Sequence, residues 1–194
     1  QNPGSLLLRP GDHLVLTRAQ TPGRAAFRDD AGRVVPARIP CTLPEAFRDV
    51  RAGDPIWLDD GKIGGAVLAN DGQEMLVEVR QAPDKGAKLR ADKGINLPDS
   101  ELDMSGLTAK DREDLRFACA HADLVGLSFV QRSEDVAALA RALDGRGPRS
   151  IGIVLKIETR RGFEALPRLL VTGLRFAPIG VMVARGDLAV EVGF

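Results

Sequence analysis

Lys156 closes the apolar run Ile151-Gly152-Ile153-Val154-Leu155-Lys156-Ile157 with Glu158 just beyond it, and Arg185-Gly186-Asp187 follows Ile179-Gly180-Val181-Met182-Val183-Ala184. A third run, Leu124-Val125-Gly126-Leu127, leads into Ser128-Phe129. Read as consecutive parallel strands, the three runs pool one lysine, two carboxylates and one arginine at their carboxyl ends, where α/β folds bind ligands. Two carboxylates leave most coordination positions of a hard cation open to water and substrate oxygens, which is how Mg²⁺ is usually held. A lysine beside the cation adds a compact positive charge. Such a set suits charge that develops on a phosphoryl group or an enolate.

Lysine usage sharpens this. Of 27 basic residues only Lys62, Lys85, Lys88, Lys93, Lys110 and Lys156 are lysine, and Lys156 lies inside an apolar strand pattern, where an unpaired charge is expensive. The residues alone leave a second reading open, a structural ion pair between Lys156 and Glu158, two apart on one strand face. Other chemistries find no pattern. Gly61-Lys62 lacks the spacing of a phosphate-binding loop, and no glycine triplet follows a strand in dinucleotide-binding order. Two isolated histidines and two distant cysteines, Cys41 and Cys119, make no zinc pattern.

The elements that must position these groups change rhythm midway. Up to about Asn96, short apolar stretches alternate with turn signals, and strands are expected at 6–8, 13–17, 33–39, 55–58, 62–68 and 74–79. Asn70-Asp71-Gly72 joins the last two as a hairpin, and a short helix is expected near 43–47. That spacing predicts a small β-barrel or sandwich. From about Leu107 strands and helices alternate. Thr108-Ala109-Lys110-Asp111 reads as a helix start, Ser133-Glu134-Asp135 caps a helix ending near Asp144-Gly145, and a third helix runs from Phe163 to about Leu174, bent or interrupted by Pro167. Strands starting roughly 27 residues apart suit β-α units on a parallel sheet, and three such units make a barrel segment rather than a closed eightfold barrel.

Composition narrows the function classes. Twenty-seven basic and 27 acidic residues cancel, which gives no support to a general nucleic-acid or acidic-membrane binder. No apolar run approaches the ~18–20 residues that span a bilayer. Two cysteines cannot form a disulfide framework, so reduced thiols and a cytoplasmic location are the expectation. Gln1-Asn2-Pro3-Gly4-Ser5 and the ending at Phe194 read as cuts through a longer polypeptide.

Five ordered motifs carry a family resemblance. Asp59-Asp60-Gly61-Lys62-Ile63, Lys93-Gly94-Ile95-Asn96-Leu97-Pro98, Leu107-Thr108-Ala109-Lys110-Asp111, Leu127-Ser128-Phe129-Val130, and Lys156-Ile157-Glu158 with Met182-Val183-Ala184-Arg185-Gly186-Asp187-Leu188 and Glu191 resemble pyruvate kinase. The resemblance implies an α/β fold with an all-β lid (B) domain over 1–96 and a partial (β/α)8 barrel (A) domain over 97–194. It implies phosphoryl transfer from phosphoenolpyruvate to ADP, giving pyruvate and ATP, by a fragment inactive alone. Lys156 would stabilise the phosphoryl group in flight. Glu158 and Asp187 would hold Mg²⁺ or Mn²⁺, and the backbone at Gly186 and Asp187 would receive the substrate carboxylate. Lys93 and Asp60 would meet the nucleotide, Phe129 would pack at the barrel mouth, and the full-length protein would form a homo-oligomer. The family's K⁺ ligands and its phosphate-gripping arginine have no counterpart in this chain.

Departures from the family pattern are Thr159, Arg160 and Arg161 before Gly162, where asparagine and then glutamate-glycine are usual, together with Ala189, Asp99 and Gly193-Phe194. Two rival functions share part of the pattern. A metal-dependent, enolate-forming carbon–carbon lyase or aldolase would use the same lysine and carboxylates but needs no nucleotide lid. A non-catalytic metabolite-binding relative would tolerate Arg161.

Overall fold

The computed structural model describes residues 4–100, 102, 106–144, 151–176 and 178–193. Residues 1–3, the helix end expected at Gly145, and Phe194 lie outside them. The chain forms two compact units, Gln1–Asp103 and Met104–Phe194.

Period-two alternation builds the first unit. In β8 (Glu74–Gln81) Met75, Val77 and Val79 point inward and are buried, and in β2 (His13–Thr17) Leu14 and Leu16 do the same. With β5 (Ala37–Pro40), β6 (Pro55–Leu58), β7 (Ile63–Asn70) and β10 (Ile95–Asn96) they form a six-stranded sheet in the order β10-β6-β7-β8-β2-β5. All neighbours are antiparallel except β2 and β5. The terminal strands of that order are not paired with each other among the described residues, so the unit is an open sheet. Two small ladders accompany it, β1 (Leu6–Leu8) with β9 (Ala87–Leu89) and β3 (Phe27–Arg28) with β4 (Val34–Val35). The unit also contains α1 (Pro44–Asp49), the short helix expected near 43–47.

Two local features explain where pattern and structure part. The strand expected over 33–39 is divided by Pro36 into β4 and β5, because proline has no N–H for a ladder. The β7–β8 hairpin forms where expected. Asp71 Oδ1 accepts from the amides of Gln73 and Glu74 at 2.8 and 2.7 Å, and Gly72 takes the left-handed φ of 86° that the turn requires.

The second unit is a parallel sheet, β11 (Leu124–Leu127), β12 (Gly152–Ile157) and β13 (Ile179–Val183), in that order. Its strands start 28 and 27 residues apart, as the alternation predicts. Helix α2 (Ala109–His121) precedes it, α3 (Ser133–Leu143) and α4 (Arg160–Gly173) connect its strands, and α5 (Arg185–Val192) follows. Ile153, Leu155 and Ile157 of β12 point to one side and are essentially inaccessible, in a cluster with Val136 and Leu139 of α3 and Leu169 of α4. Each such side chain contributes about 1.5–3 kcal/mol of burial. The opposite face of β12 is therefore left to Val154, Lys156 and the following Glu158.

Helix ends follow the capping chemistry with two shifts. Thr108 caps α2 in a reciprocal box with Asp111. Helix α3 begins at Ser133, so the cap position falls on Arg132, whose amide donates to Asp135 Oδ2 at 3.0 Å. Helix α4 begins at Arg160 rather than Phe163, because the Thr159 hydroxyl accepts from the Gly162 amide and starts the helix early. It continues through Pro167 to Gly173 without interruption. No helix among the described residues is long and apolar enough to cross a membrane.

Candidate active site

Strand register assembles the centre of the site. Leu127 lies opposite Leu155, so Ser128 and Lys156 emerge side by side at the carboxyl ends of β11 and β12. Lys156 Nζ donates to Ser128 Oγ at 2.9 Å and meets Glu158 Oε1 at 2.9 Å. The Phe129 amide donates to the other oxygen, Glu158 Oε2, at 2.5 Å. Glu158 is buried at 3% exposure although it is a carboxylate, and its two oxygens are both engaged. To aim its amide this way Phe129 adopts φ 52°, a left-handed conformation costly for a bulky residue. The lysine stem passes over Gly126, where a Cβ would stand 3.5 Å from Lys156 Cδ, in ordinary contact. The ion pair that the residues left open as an alternative is present, and it lies at the carboxyl edge of the sheet.

Asp187 comes from the next strand. Ile157 lies opposite Val183, and the Ala184 amide donates to the Ile157 carbonyl at 3.0 Å. Helix α5 starts at once, with Arg185, Gly186 and Asp187 as its first three residues. Gly186 is exposed, and a Cβ there would meet nothing within 4 Å. The same helix is tied to α4, for Glu191 Oε2 accepts from the Arg160 amide at 2.9 Å and the Glu191 carbonyl accepts from the Arg160 guanidinium at 2.8 Å. Among the described residues no cluster of three or more histidine, cysteine or acidic side chains is poised to hold a metal, so any cation would rest on fewer protein ligands.

Lys93 and Asp60 lie in the first unit. Asp59, Asp60 and Gly61 occupy the left-handed region in succession, at φ 52°, 56° and 80°. The turn buries Asp59 and leaves Asp60 exposed. Asp59 Oδ1 meets Lys93 Nζ at 2.8 Å and Oδ2 meets Lys62 Nζ at 3.2 Å. Lys93, above all, holds the Asp59 carboxyl below the usual range, and Asp59 in turn raises the Lys93 ammonium. The partner of Lys93 is thus the buried Asp59, and Asp60 stays exposed beside it.

The chain matches the family model described as pyruvate kinase, barrel domain, over residues 26–194. It is 35% identical over 150 residues to the pyruvate kinase of Clostridium perfringens, covering 76% of this chain and 30% of that protein. To the pyruvate kinase of Geobacillus stearothermophilus it is 33% identical over 192 residues, covering 97% of this chain and 29% of the relative. Human pyruvate kinase PKLR is 34% identical over 170 residues, covering 80% and 29%. The chain belongs to the pyruvate kinase family.

It spans 29–30% of the length of these three pyruvate kinases. Gly162 lets the first turn of α4 approach the β11–α3 connection, since a Cβ there would stand 2.6 Å from the Val130 carbonyl oxygen. Thr159, which departs from the pyruvate kinase pattern, caps the same turn from a buried position. Ser128, which meets Lys156, was left out by sequence reasoning although it was visible as a polar residue ending a strand.

Proposed function

We propose that this chain supplies the phosphoryl-handling edge of a pyruvate kinase-like phosphotransferase, which moves phosphoryl from phosphoenolpyruvate to ADP and yields pyruvate and ATP. The observation that carries the reading is Lys156 Nζ held 2.9 Å from a buried Glu158 at the carboxyl end of β12, with Asp187 opening the helix after the adjacent strand. Family membership supports the substrate class.

In this reading the Lys156 ammonium faces the phosphoryl oxygens and steadies their charge during transfer. Glu158 and Asp187 hold Mg²⁺ or Mn²⁺. The donor set fits a hard cation, because each carboxylate oxygen of Glu158 accepts one hydrogen bond in the fold and keeps a second lone pair. Bound there, the cation polarises substrate oxygens and neutralises charge. The start of α5 at Gly186 and Asp187 receives the substrate carboxylate, since the first amides of a helix lack intrahelical acceptors and favour anions. The β-rich first unit acts as the nucleotide lid, with Lys93 and Asp60 toward the phosphates, and the full-length protein is a homo-oligomer.

The test is a pair of variants in the full-length protein. Lys156→Met is expected to lower kcat by about 10³-fold with Mn²⁺ affinity preserved, whereas Glu158→Ala with Asp187→Ala removes Mn²⁺ binding in calorimetry. Normal turnover by the first variant, or unchanged Mn²⁺ binding by the second, removes the assignment.

A further inference from the structure

Lysine carries three ammonium donors on a flexible stem, and a transferring phosphoryl group needs one of them aimed reproducibly. In this fold the two contacts of Lys156 come from fixed positions. Glu158 is buried and clamped through Oε2 by the Phe129 amide, so its Oε1 offers a rigid acceptor. Ser128 offers the second acceptor from the neighbouring strand, at 2.9 Å. Its position is set by the Leu127–Leu155 register and by the left-handed turn at Phe129 that follows it.

We propose that Ser128 is a positioning residue for Lys156: together with Glu158 it occupies two ammonium donors and leaves the third directed at the phosphoryl group. The inference rests on the phosphotransferase reading for its kinetic consequence but not for its structural one. No covalent step is asked of Ser128. Its hydroxyl accepts from the ammonium and restricts rotation about the end of the lysine side chain. Threonine keeps that acceptor; alanine removes it.

Two measurements in the full-length protein test this. The first is the Cε–Hε correlation of Lys156 in protein carrying ¹³C-labelled lysine, assigned by Lys156→Arg. A held ammonium gives two distinct Hε shifts, which are expected to merge in Ser128→Ala and to separate again in Ser128→Thr. Merged shifts in the unmodified protein, or distinct shifts that persist in Ser128→Ala, overturn the proposal whatever the reaction is. The second is steady-state kinetics with phosphoenolpyruvate and ADP. Ser128→Ala is expected to lower kcat by about 10-fold with KM for phosphoenolpyruvate within about twofold, and Ser128→Thr to recover most of the loss. Unchanged kcat in Ser128→Ala, or a loss that threonine fails to rescue, overturns the role in transfer. Should the unmodified protein transfer no phosphoryl group, the functional reading falls, and the lysine spectra alone decide whether Ser128 holds Lys156.

Discussion

Asp59 allows charge to be separated from conformation, because asparagine also tolerates the left-handed backbone at φ 52°. Its carboxyl is held low chiefly by Lys93, with Lys62 adding to the effect. A folded-state pKa below the unfolded value of about 3.9 means stability that is present above that value and lost as pH falls through the folded one. Urea unfolding should therefore show the native protein more stable than Asp59→Asn by a constant margin between pH 5 and 8, shrinking below about pH 4. A margin independent of pH across that window would remove the ion pairs as its source. Phe129 poses the complementary case, strain without titration. Its ring is half exposed, so little packing is lost on truncation. Phe129→Gly relieves about 1–2 kcal/mol of left-handed strain but adds unfolded-state freedom worth about 0.5–1 kcal/mol. It is expected to leave stability within about 1 kcal/mol of the starting value, whereas β-branched Phe129→Val lowers it by about 1–2 kcal/mol. Equal stabilities for the two variants would show that the turn carries no strain. Both residues mark the limit of what the sequence discloses. Lys156 and Glu158 are legible because two positions on one strand share a face. The Ser128–Lys156 contact depends on a register between strands 28 residues apart, and Asp59 rather than Asp60 is buried because three successive left-handed residues rotate the turn.

Elements were legible where a local signal sets them. Thr108 and Asp111 announce α2, and the fold realises both halves of the box: the Asp111 amide donates to Thr108 Oγ1 at 3.1 Å and the Thr108 amide to Asp111 Oδ2 at 2.8 Å. Thr108→Ala should cost about 1 kcal/mol, read from the unfolding midpoint in urea; no change would mean that α2 is held by packing alone. The short strands β3 and β9 escaped notice because two or three residues carry no period to recognise. Helix α4 shows a local signal overridden. Pro167 removes one intrahelical donor, yet Leu169 at 0% exposure and the turn at Thr159 hold the helix on either side of it. Since Pro167 is exposed, Pro167→Ala should restore the missing hydrogen bond without disturbing the core. A gain of about 1–3 kcal/mol is expected, measured by circular dichroism during thermal unfolding. A loss of stability would mean that the proline ring itself supports the turn.

At the scale of the molecule, stability should follow position within each sheet rather than position in the chain. The two units bury separate clusters, one around Leu14, Ile56, Met75 and Val77, the other around Leu139, Leu155, Ile157 and Leu169. Among the described residues four strands of the first sheet have partners on both sides, β8 among them between β7 and β2, and in the second sheet β12 lies between β11 and β13. Strand β13 differs. Among the described residues it pairs with β12 alone, and Val181, Met182 and Val183 are 39–49% exposed. Parallel strands send alternate amides to opposite sides, so every second amide of β13 points away from its partner and depends on whatever else covers that edge. Hydrogen exchange of the 194-residue chain should then find β12 amides protected at least about 100-fold more than the outward-facing amides of β13, with β8 equally protected in the first unit. Uniform protection across β11, β12 and β13 would mean that the chain covers the β13 edge in solution, through a second copy or through residues outside those described. The lysine and carboxylates of the candidate site straddle this boundary, Lys156 on the central strand with Glu158 directly after it, and Asp187 beyond the edge strand. Exchange that is slow at β12 and fast at β13 would therefore mark Asp187 as the least constrained member of the set, and Mn²⁺ binding should slow the β13 amides only if Asp187 closes onto the same ion as Glu158.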